Sequence, residues 1–238
     1  LPQSEERRLV IDIGGRSTEI ILGKGFKPQT LESYRVGSVK WSMKYFPDGQ
    51  FSESAFQWAE VAAKAVLDEA LALYPKGSWD IAYGSSGTIG AVMDVLQAAG
   101  WPEEVITREG LDWLKERLIK AGRADMLRLE GVKEDRKPVI GGGLAVLCAL
   151  FDLMNIDSMS AAQGALRHGV LYDLLQREDN TDLRSSMVMA LGKRFAVDHS
   201  QAERVQKTSL TLFKGIQDKD VLNPDRLARL EQKLSWAS

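Results

Sequence analysis

The stretch that decides the fold is Arg8-Leu9-Val10-Ile11-Asp12-Ile13-Gly14-Gly15-Arg16-Ser17-Thr18-Glu19-Ile20-Ile21-Leu22-Gly23. Arg8 to Ile13 reads as a buried strand ending in an acid. Gly14 to Thr18 reads as a turn, and Glu19 to Gly23 as a second strand. So short a connection predicts antiparallel neighbours. The glycines let backbone N–H groups approach an anion unobstructed, and Ser17 and Thr18 add hydroxyl donors. Asp12, at the strand end, would direct a carboxylate at a phosphate-bound Mg²⁺ or at a water, and Glu19 opens the return strand beside it. A polar hairpin turn with solvated acids is the plain alternative.

Working outward, a third strand is expected over Thr30–Val36. A long helix is expected over Ser52–Tyr74, stopped by Pro75 and Gly77, with Glu60 and Lys64 as an i,i+4 pair. A strand at Trp79–Tyr83 leads into Gly84-Ser85-Ser86-Gly87-Thr88 and a helix over Ile89–Ala99. A helix N-terminus presents unpaired amides and partial positive charge, so this second turn also suits phosphate. Ser86 or Thr88 would equally serve as a simple cap. Further helices are expected over Arg108–Ala121, Leu144–Met154 and Gln163–Leu175, with a short strand near Asp157–Ala161. Gly141-Gly142-Gly143 is read as a tightly packed helix entry. After Gln176 everything reads helical: Leu183–Phe195, Ser200–Gly215 and Pro224–Trp236. The domain boundary is placed near Arg177, giving residues 1–176 as an α/β unit and 177–238 as the start of a helical one.

Composition bounds the function. The 238 residues are 44% hydrophobic and 27% charged, with net charge −2, so no bulk basicity points to nucleic acid. A polyanionic ligand would need a local cationic site. The single Cys148 excludes an internal disulfide and is read as inert core packing, which fits a cytoplasmic compartment. The longest apolar stretch is about 13 residues, short of the roughly 20 that a membrane span needs. The chain opens Leu1-Pro2-Gln3 without Met, suggesting a piece cut at a domain boundary; N-terminal processing is the other reading.

Neither turn is a Walker loop, and neither is a Rossmann fingerprint, because the first glycine turn leads into a strand. Two phosphate turns on two strand ends, the first a hairpin, is the arrangement of actin-like ATPases and sugar kinases. Within that class, Ile11-Asp12-Ile13-Gly14-Gly15 through Ser17-Thr18-Glu19 resembles the signature of the exopolyphosphatase / guanosine pentaphosphate phosphohydrolase family, in which a third glycine usually replaces Arg16. Gly84-Ser85-Ser86-Gly87-Thr88, Gly143-Leu144-Ala145 and Gly164-Ala165-Leu166-Arg167-His168-Gly169-Val170-Leu171-Tyr172 resemble that family's later segments, in family order. Arg35-Val36-Gly37 and Tyr45-Phe46-Pro47 also fit.

The resemblance implies the second lobe of an actin-like (ribonuclease H-like) core, followed by the start of an all-helical, degenerate HD-like domain. It implies Mg²⁺-dependent release of terminal phosphate from inorganic polyphosphate or guanosine pentaphosphate. Asp12 and Glu19 would hold the metal or orient the attacking water. Gly14, Gly15, Arg16, Ser17, Thr18, the turn of Gly84, Ser85, Ser86, Gly87 and Thr88, and Arg167 would grip phosphoryl oxygens. The family's general base and a phosphate-contacting arginine belong to a first lobe that no segment here matches, so this chain would supply half a cleft. Its partners would be that missing N-terminal lobe and the substrate, with a second copy of the chain also admissible. Three rivals stand beside this reading. An HD-type metal hydrolase is poorly served by His168 and His199 in the order Asp198-His199. A sugar or carboxylate kinase would need an adenosine segment that is not recognisable. A catalytically silent alarmone-sensing or assembly module is permitted by Arg16 and the absent lobe.

Overall fold

The computed structural model describes residues 5–25, 27–162, 183–216 and 224–237. The chain divides into two compact units, Leu1–Leu166 and Arg167–Ser238. The boundary expected near Arg177, the expected helix at Gln163–Leu175, and Arg167 lie outside the described residues.

The first unit is a mixed α/β fold. Strands β1 (Arg7–Ile13), β2 (Thr18–Lys24), β3 (Lys27–Tyr34), β4 (Ile81–Ser85), β5 (Val105–Thr107) and β6 (Ser158–Ala161) form one sheet in the order β3-β2-β1-β4-β6-β5. β1 and β2 are antiparallel, as the short turn predicts, and β1 is parallel to β4. Alternation decides the faces. Leu9, Ile11 and Ile13 of β1 and Thr18, Ile20 and Leu22 of β2 are buried, whereas Val10, Asp12, Glu19 and Ile21 alternate with them and are half-exposed.

Helices α1 (Ser38–Tyr45), α2 (Glu53–Leu67), α3 (Ala70–Leu73), α4 (Ser86–Ala98), α5 (Arg108–Ala121) and α6 (Ile140–Met154) complete the unit. The hydroxyl of Ser52 caps α2 by accepting from the Ala55 amide at 3.1 Å, and Thr107 caps α5 by accepting from the Gly110 amide at 3.3 Å. Residues Ile140 to Phe151 of α6 are all buried. The apolar run that the sequence shows there is therefore the central helix of the core. Its first turn carries three glycines because α1 crosses it backbone to backbone. A Cβ on Gly142 would lie 2.5 Å from the carbonyl oxygen of Ser38 and closer still to the Ser42 amide. The Gly142 amide, unpaired at the helix start, donates to the Ser42 hydroxyl at 3.0 Å.

Several local readings are corrected or extended. The helix read as continuous to Tyr74 tightens after Leu67, where the Leu71 amide bonds the Asp68 carbonyl three residues back. Helix α6 begins at Ile140 rather than Leu144, and α4 begins at Ser86 rather than Ile89. Glu60 and Lys64 do not pair along α2. Tertiary partners win: Lys115 of α5 meets Glu60 at 3.1 Å, and Lys64 meets Asp152 of α6 at 2.7 Å, where Arg108 also binds. Finally, β5 has no counterpart in the sequence reading.

In the second unit, the described residues form α7 (Leu183–Arg194), α8 (His199–Ile216) and α9 (Pro224–Ala237). His199 starts α8. Asp198 acts as its cap, accepting from the Gln201 amide at 3.0 Å.

Candidate phosphate and cation site

The site is built at the ends of β1 and β4. The β1–β2 turn closes with the Gly14 amide donating to the Ser17 carbonyl at 2.9 Å. Its other peptides are turned by α1. The Gly14 carbonyl accepts from the Ser38 amide at 2.9 Å and the Ser38 hydroxyl at 3.2 Å. The Gly15 carbonyl accepts from the amides of Val39 and Lys40, both at 3.0 Å. In a trans peptide the N–H points opposite the preceding C=O. The amides of Gly15 and Arg16 are thus aimed away from α1, and neither donates a hydrogen bond among the described residues. Two adjacent free amides make a nest suited to an anion.

Gly37 is needed for this approach, because a Cβ there would lie 2.6 Å from the Arg16 nitrogen. Arg16 itself is exposed.

Asp12 sits directly opposite Glu19 in the β1–β2 register and opposite Ser85 of β4. Opposed residues of antiparallel strands bring their Cβ atoms to about 4.5–5.5 Å, where two carboxylates repel. Glu19 is held in place by two hydroxyls, from Ser17 and Ser33, each 2.7 Å from Oε1. A like-charge pair held this way favours a cation between its members. The donor set fits Mg²⁺, which takes one or two protein carboxylates and completes its shell with water and phosphate oxygens.

The second turn is tied to the first through one atom. The Ile13 carbonyl accepts from the hydroxyls of Ser86 at 2.6 Å and Thr88 at 3.3 Å. Ser86 takes a positive φ of 80°, a conformation that costs a non-glycine residue about 1–2 kcal/mol. Strain of this kind concentrates where the surrounding structure fixes a functional geometry. Ser85 is the N-cap of α4 but makes no side-chain cap bond, and the first turn of the helix holds no acid. The partial positive charge of the helix start is therefore not offset by an acidic side chain of that turn.

Several assigned roles change. Thr18 does not offer its hydroxyl to a ligand: its side chain is fully buried and donates to the Val36 carbonyl at 2.7 Å. Gly84 is a packing position, buried where a Cβ would strike Met159 Sδ at 2.6 Å and Ile89 Cδ1 at 2.9 Å. The hydroxyls of Ser17, Ser86 and Thr88 donate to protein acceptors, so the donors left for phosphate are chiefly backbone amides.

Arg136 went unread in the sequence. Its guanidinium covers Gly87 so closely that a Cβ there would lie 2.5 Å from Nη1, and with Thr88, Ala91, Val92, Val139 and Ile140 it lines a small cleft. It stays 42% exposed, with Asp135 at 3.6 Å. Only its place shortly before the Gly141–Gly143 helix entry could have pointed to it. Among the described residues, no group of three or more His, Cys, Asp or Glu side chains could hold a metal. No described helix is long and apolar enough to cross a membrane.

This α/β sheet sets opposed carboxylates beside two glycine turns, and residues 1–178 match the model of the Ppx/GppA phosphatase family. The chain belongs to that family. It is 39% identical over 213 residues to the guanosine-5'-triphosphate,3'-diphosphate pyrophosphatase of Aeromonas hydrophila subsp. hydrophila, covering 90% of this chain and 43% of the relative. It is 38% identical over 207 residues to the protein of the same name from Vibrio atlanticus, covering 87% and 41%. The chain thus spans less than half the length of these curated relatives. Among solved structures, it is similar to the Ppx/GppA family member of Aquifex aeolicus at TM-score 0.62 and 23% identity, covering 75% of this chain and 59% of that one. It is also similar to an exopolyphosphatase from Cytophaga hutchinsonii at TM-score 0.60 and 18% identity, covering 74% and 59%.

Proposed function

We propose that this chain is the second lobe of an actin-like phosphohydrolase core and supplies half of a cleft. That cleft would release terminal phosphate from guanosine pentaphosphate or inorganic polyphosphate. The observation that carries the reading is the opposed Asp12–Glu19 pair beside the free amides of Gly15 and Arg16 and the uncapped start of α4. The order β3-β2-β1-β4-β6 with β2 antiparallel supports the actin-like lobe. The name shared by the Aeromonas and Vibrio relatives supports the nucleotide substrate.

Phosphoryl transfer needs positioning and charge neutralisation more than covalent help from the protein. The amides of Gly15 and Arg16 hold the terminal phosphoryl oxygens. Arg136, over the start of α4, faces the charge that gathers on the bridging and leaving oxygens. Asp12 and Glu19 would hold Mg²⁺, which neutralises phosphate oxygens when bound. Water oxygen bonds to phosphorus, the bond to the leaving phosphate breaks, and the water's proton passes to a base outside this chain. Phosphate release from guanosine pentaphosphate by the whole protein tests the reading. Asp12→Asn and Glu19→Gln should each lower kcat at least about 100-fold, consistent with lost electrostatic stabilisation. Unchanged turnover in both would refute it, and binding without turnover by the whole protein would favour the silent alarmone-sensing reading.

A further inference from the structure

Residues 122–139 join the end of α5 to the start of α6. Leu127 buries its side chain, and Leu129 and Val132 pack partly against the core. The strap then follows one face of α4, on which Gly87, Ala91 and Asp94 recur at i, i+4 and i+7. Gly131 meets the Asp94 end. A Cβ on it would strike the Asp94 carbonyl oxygen, 2.6 Å from its carbon and 2.9 Å from the Val95 Cα. Arg136 meets the Gly87 end, where its Nη1 stands 2.5 Å from the place of a Cβ. The strap therefore runs antiparallel to the helix.

Glycine is required at 131 twice over. Its φ of 86° lies in the left-handed region, and the backbone contact leaves no room for a methyl. Beside it, Lys133 Nζ meets Asp94 Oδ2 at 3.0 Å on an exposed surface. The next turn closes with the Arg136 amide donating to the Lys133 carbonyl at 2.9 Å. On the other side, the Val139 amide donates to the Arg136 carbonyl at 3.0 Å. The backbone of Arg136 is thus held between the start of α6 and the contact at Asp94. Its side chain has little guidance of its own: among the described residues its ion pair is with its neighbour Asp135, at 3.6 Å. Where the guanidinium stands follows from where the strap is seated.

We propose that Gly131 and the Asp94–Lys133 pair are positioning residues for phosphate release, acting through Arg136. The proposal rests on the reading that Arg136 faces the phosphate at the start of α4. About 10 Å of helix separates Asp94 from Gly87, so these anchors act from two turns away. They set the height of the strap on α4. A displacement of about 1 Å in a charged group at a reacting centre is enough to cost up to about 100-fold in rate.

The test is steady-state phosphate release from guanosine pentaphosphate by the whole protein, in parent and Arg136→Ala backgrounds, with circular dichroism checking the fold. Gly131→Ala should lower kcat at least about tenfold in the parent and less than about twofold in the Arg136→Ala background, the non-additivity of residues that act as a unit. Asp94→Lys sets like charges against each other at an exposed pair. It should lower kcat about threefold or more, and the swapped pair D94K/K133D should return it to within about twofold of the parent. A merely structural role gives the same factor in both backgrounds. That result, or a Gly131→Ala kcat within about twofold of the parent, would overturn the proposal. Should Gly131→Ala fail to fold, the charge swap decides: no loss in Asp94→Lys, or no recovery in the swap, overturns it. Failure of the underlying reading shows separately. Unchanged release by Arg136→Ala removes the arginine and its anchors together, and unchanged release by Asp12→Asn and Glu19→Gln removes the carboxylate site.

Discussion

Gly142→Ala is the substitution that most directly probes how the site is anchored. The new methyl would sit 2.5 Å from both the Ser38 carbonyl oxygen and the Ser42 hydroxyl oxygen, with the Ser42 amide nearer still. Two of these three are backbone atoms, so no rotamer change relieves the overlap. Helices α1 and α6 would have to part by about 1 Å to reach ordinary contact distances. Overpacking of this sort typically costs about 1–3 kcal/mol. Separation also stretches the 3.0 Å bond from the Gly142 amide to the Ser42 hydroxyl, and a buried donor left without its partner costs about 1–3 kcal/mol more. Alanine returns about 0.5–1 kcal/mol in helix propensity. The balance is a loss of about 2–4 kcal/mol, a large part of the roughly 5–15 kcal/mol that holds a domain together. Urea denaturation followed by circular dichroism should show the midpoint falling by about 1 M or more. Gly90→Ala is the control: it lies within α4, is exposed, and has no atom within 4 Å of its would-be Cβ, so its midpoint should hold or rise. A Gly142→Ala midpoint within about 0.2 M of the parent, or one that rises as the control does, would refute the close helix crossing.

Other outcomes follow from named contacts. Thr18→Val should cost about 1–3 kcal/mol by leaving the Val36 carbonyl unpaired, with little change in phosphate affinity; a large affinity loss at constant stability would restore the hydroxyl to the ligand. Arg136→Ala in the whole protein should reduce phosphate release by about 10- to 100-fold, the range of one lost charged contact, and equal activity would remove it from the site. Arg7 holds the Asp80 carboxyl down at about 2 through a direct ion pair and hydrogen bonds. A depressed acid stabilises the fold above its unfolded value near 4 and loses that contribution as pH falls toward 2, so Asp80→Asn should flatten the stability–pH profile between pH 4 and 2. Burial pushes the Cys148 thiol up to about 12, so a thiol reagent at pH 8 should label it only when the chain unfolds; fast labelling of the native protein would contradict its place in α6.

The sheet's first hairpin was legible because alternating residues and a glycine turn are local signals. Asp12 and Glu19 could be placed side by side for the same reason, since a short turn fixes the register that opposes them. Less legible was whatever depended on contacts far away in sequence. Val105–Thr107 is three residues long, too short for any period to register, and becomes a strand only through pairing with Ser158–Ser160. The glycines of α6 read as a tightly packed entry to a helix beginning at Leu144, because a glycine run is normally a poor helix former. Only the crossing of α1 explains why the helix includes them. The start of α4 at Ser86 depends on a positive φ that composition does not announce. Arg136 meets Gly87 from 49 residues away, and Glu60 and Lys64 found partners 55 and 88 residues distant.

The burial of α6 on every side also sets an order of events during synthesis. Strands β1 and β4 and helices α1, α2, α4 and α5 all precede it in the chain, yet α1, α2, α4 and α5 each pack on it. A nascent polypeptide that ends before Ile140 therefore has the strands β3-β2-β1-β4 and several amphipathic helices but lacks the central helix on which α1, α2, α4 and α5 pack. Protease resistance in ribosome-stalled chains of increasing length should consequently appear as one step, once residues 140–161 have cleared the exit tunnel, and not as a gradual rise.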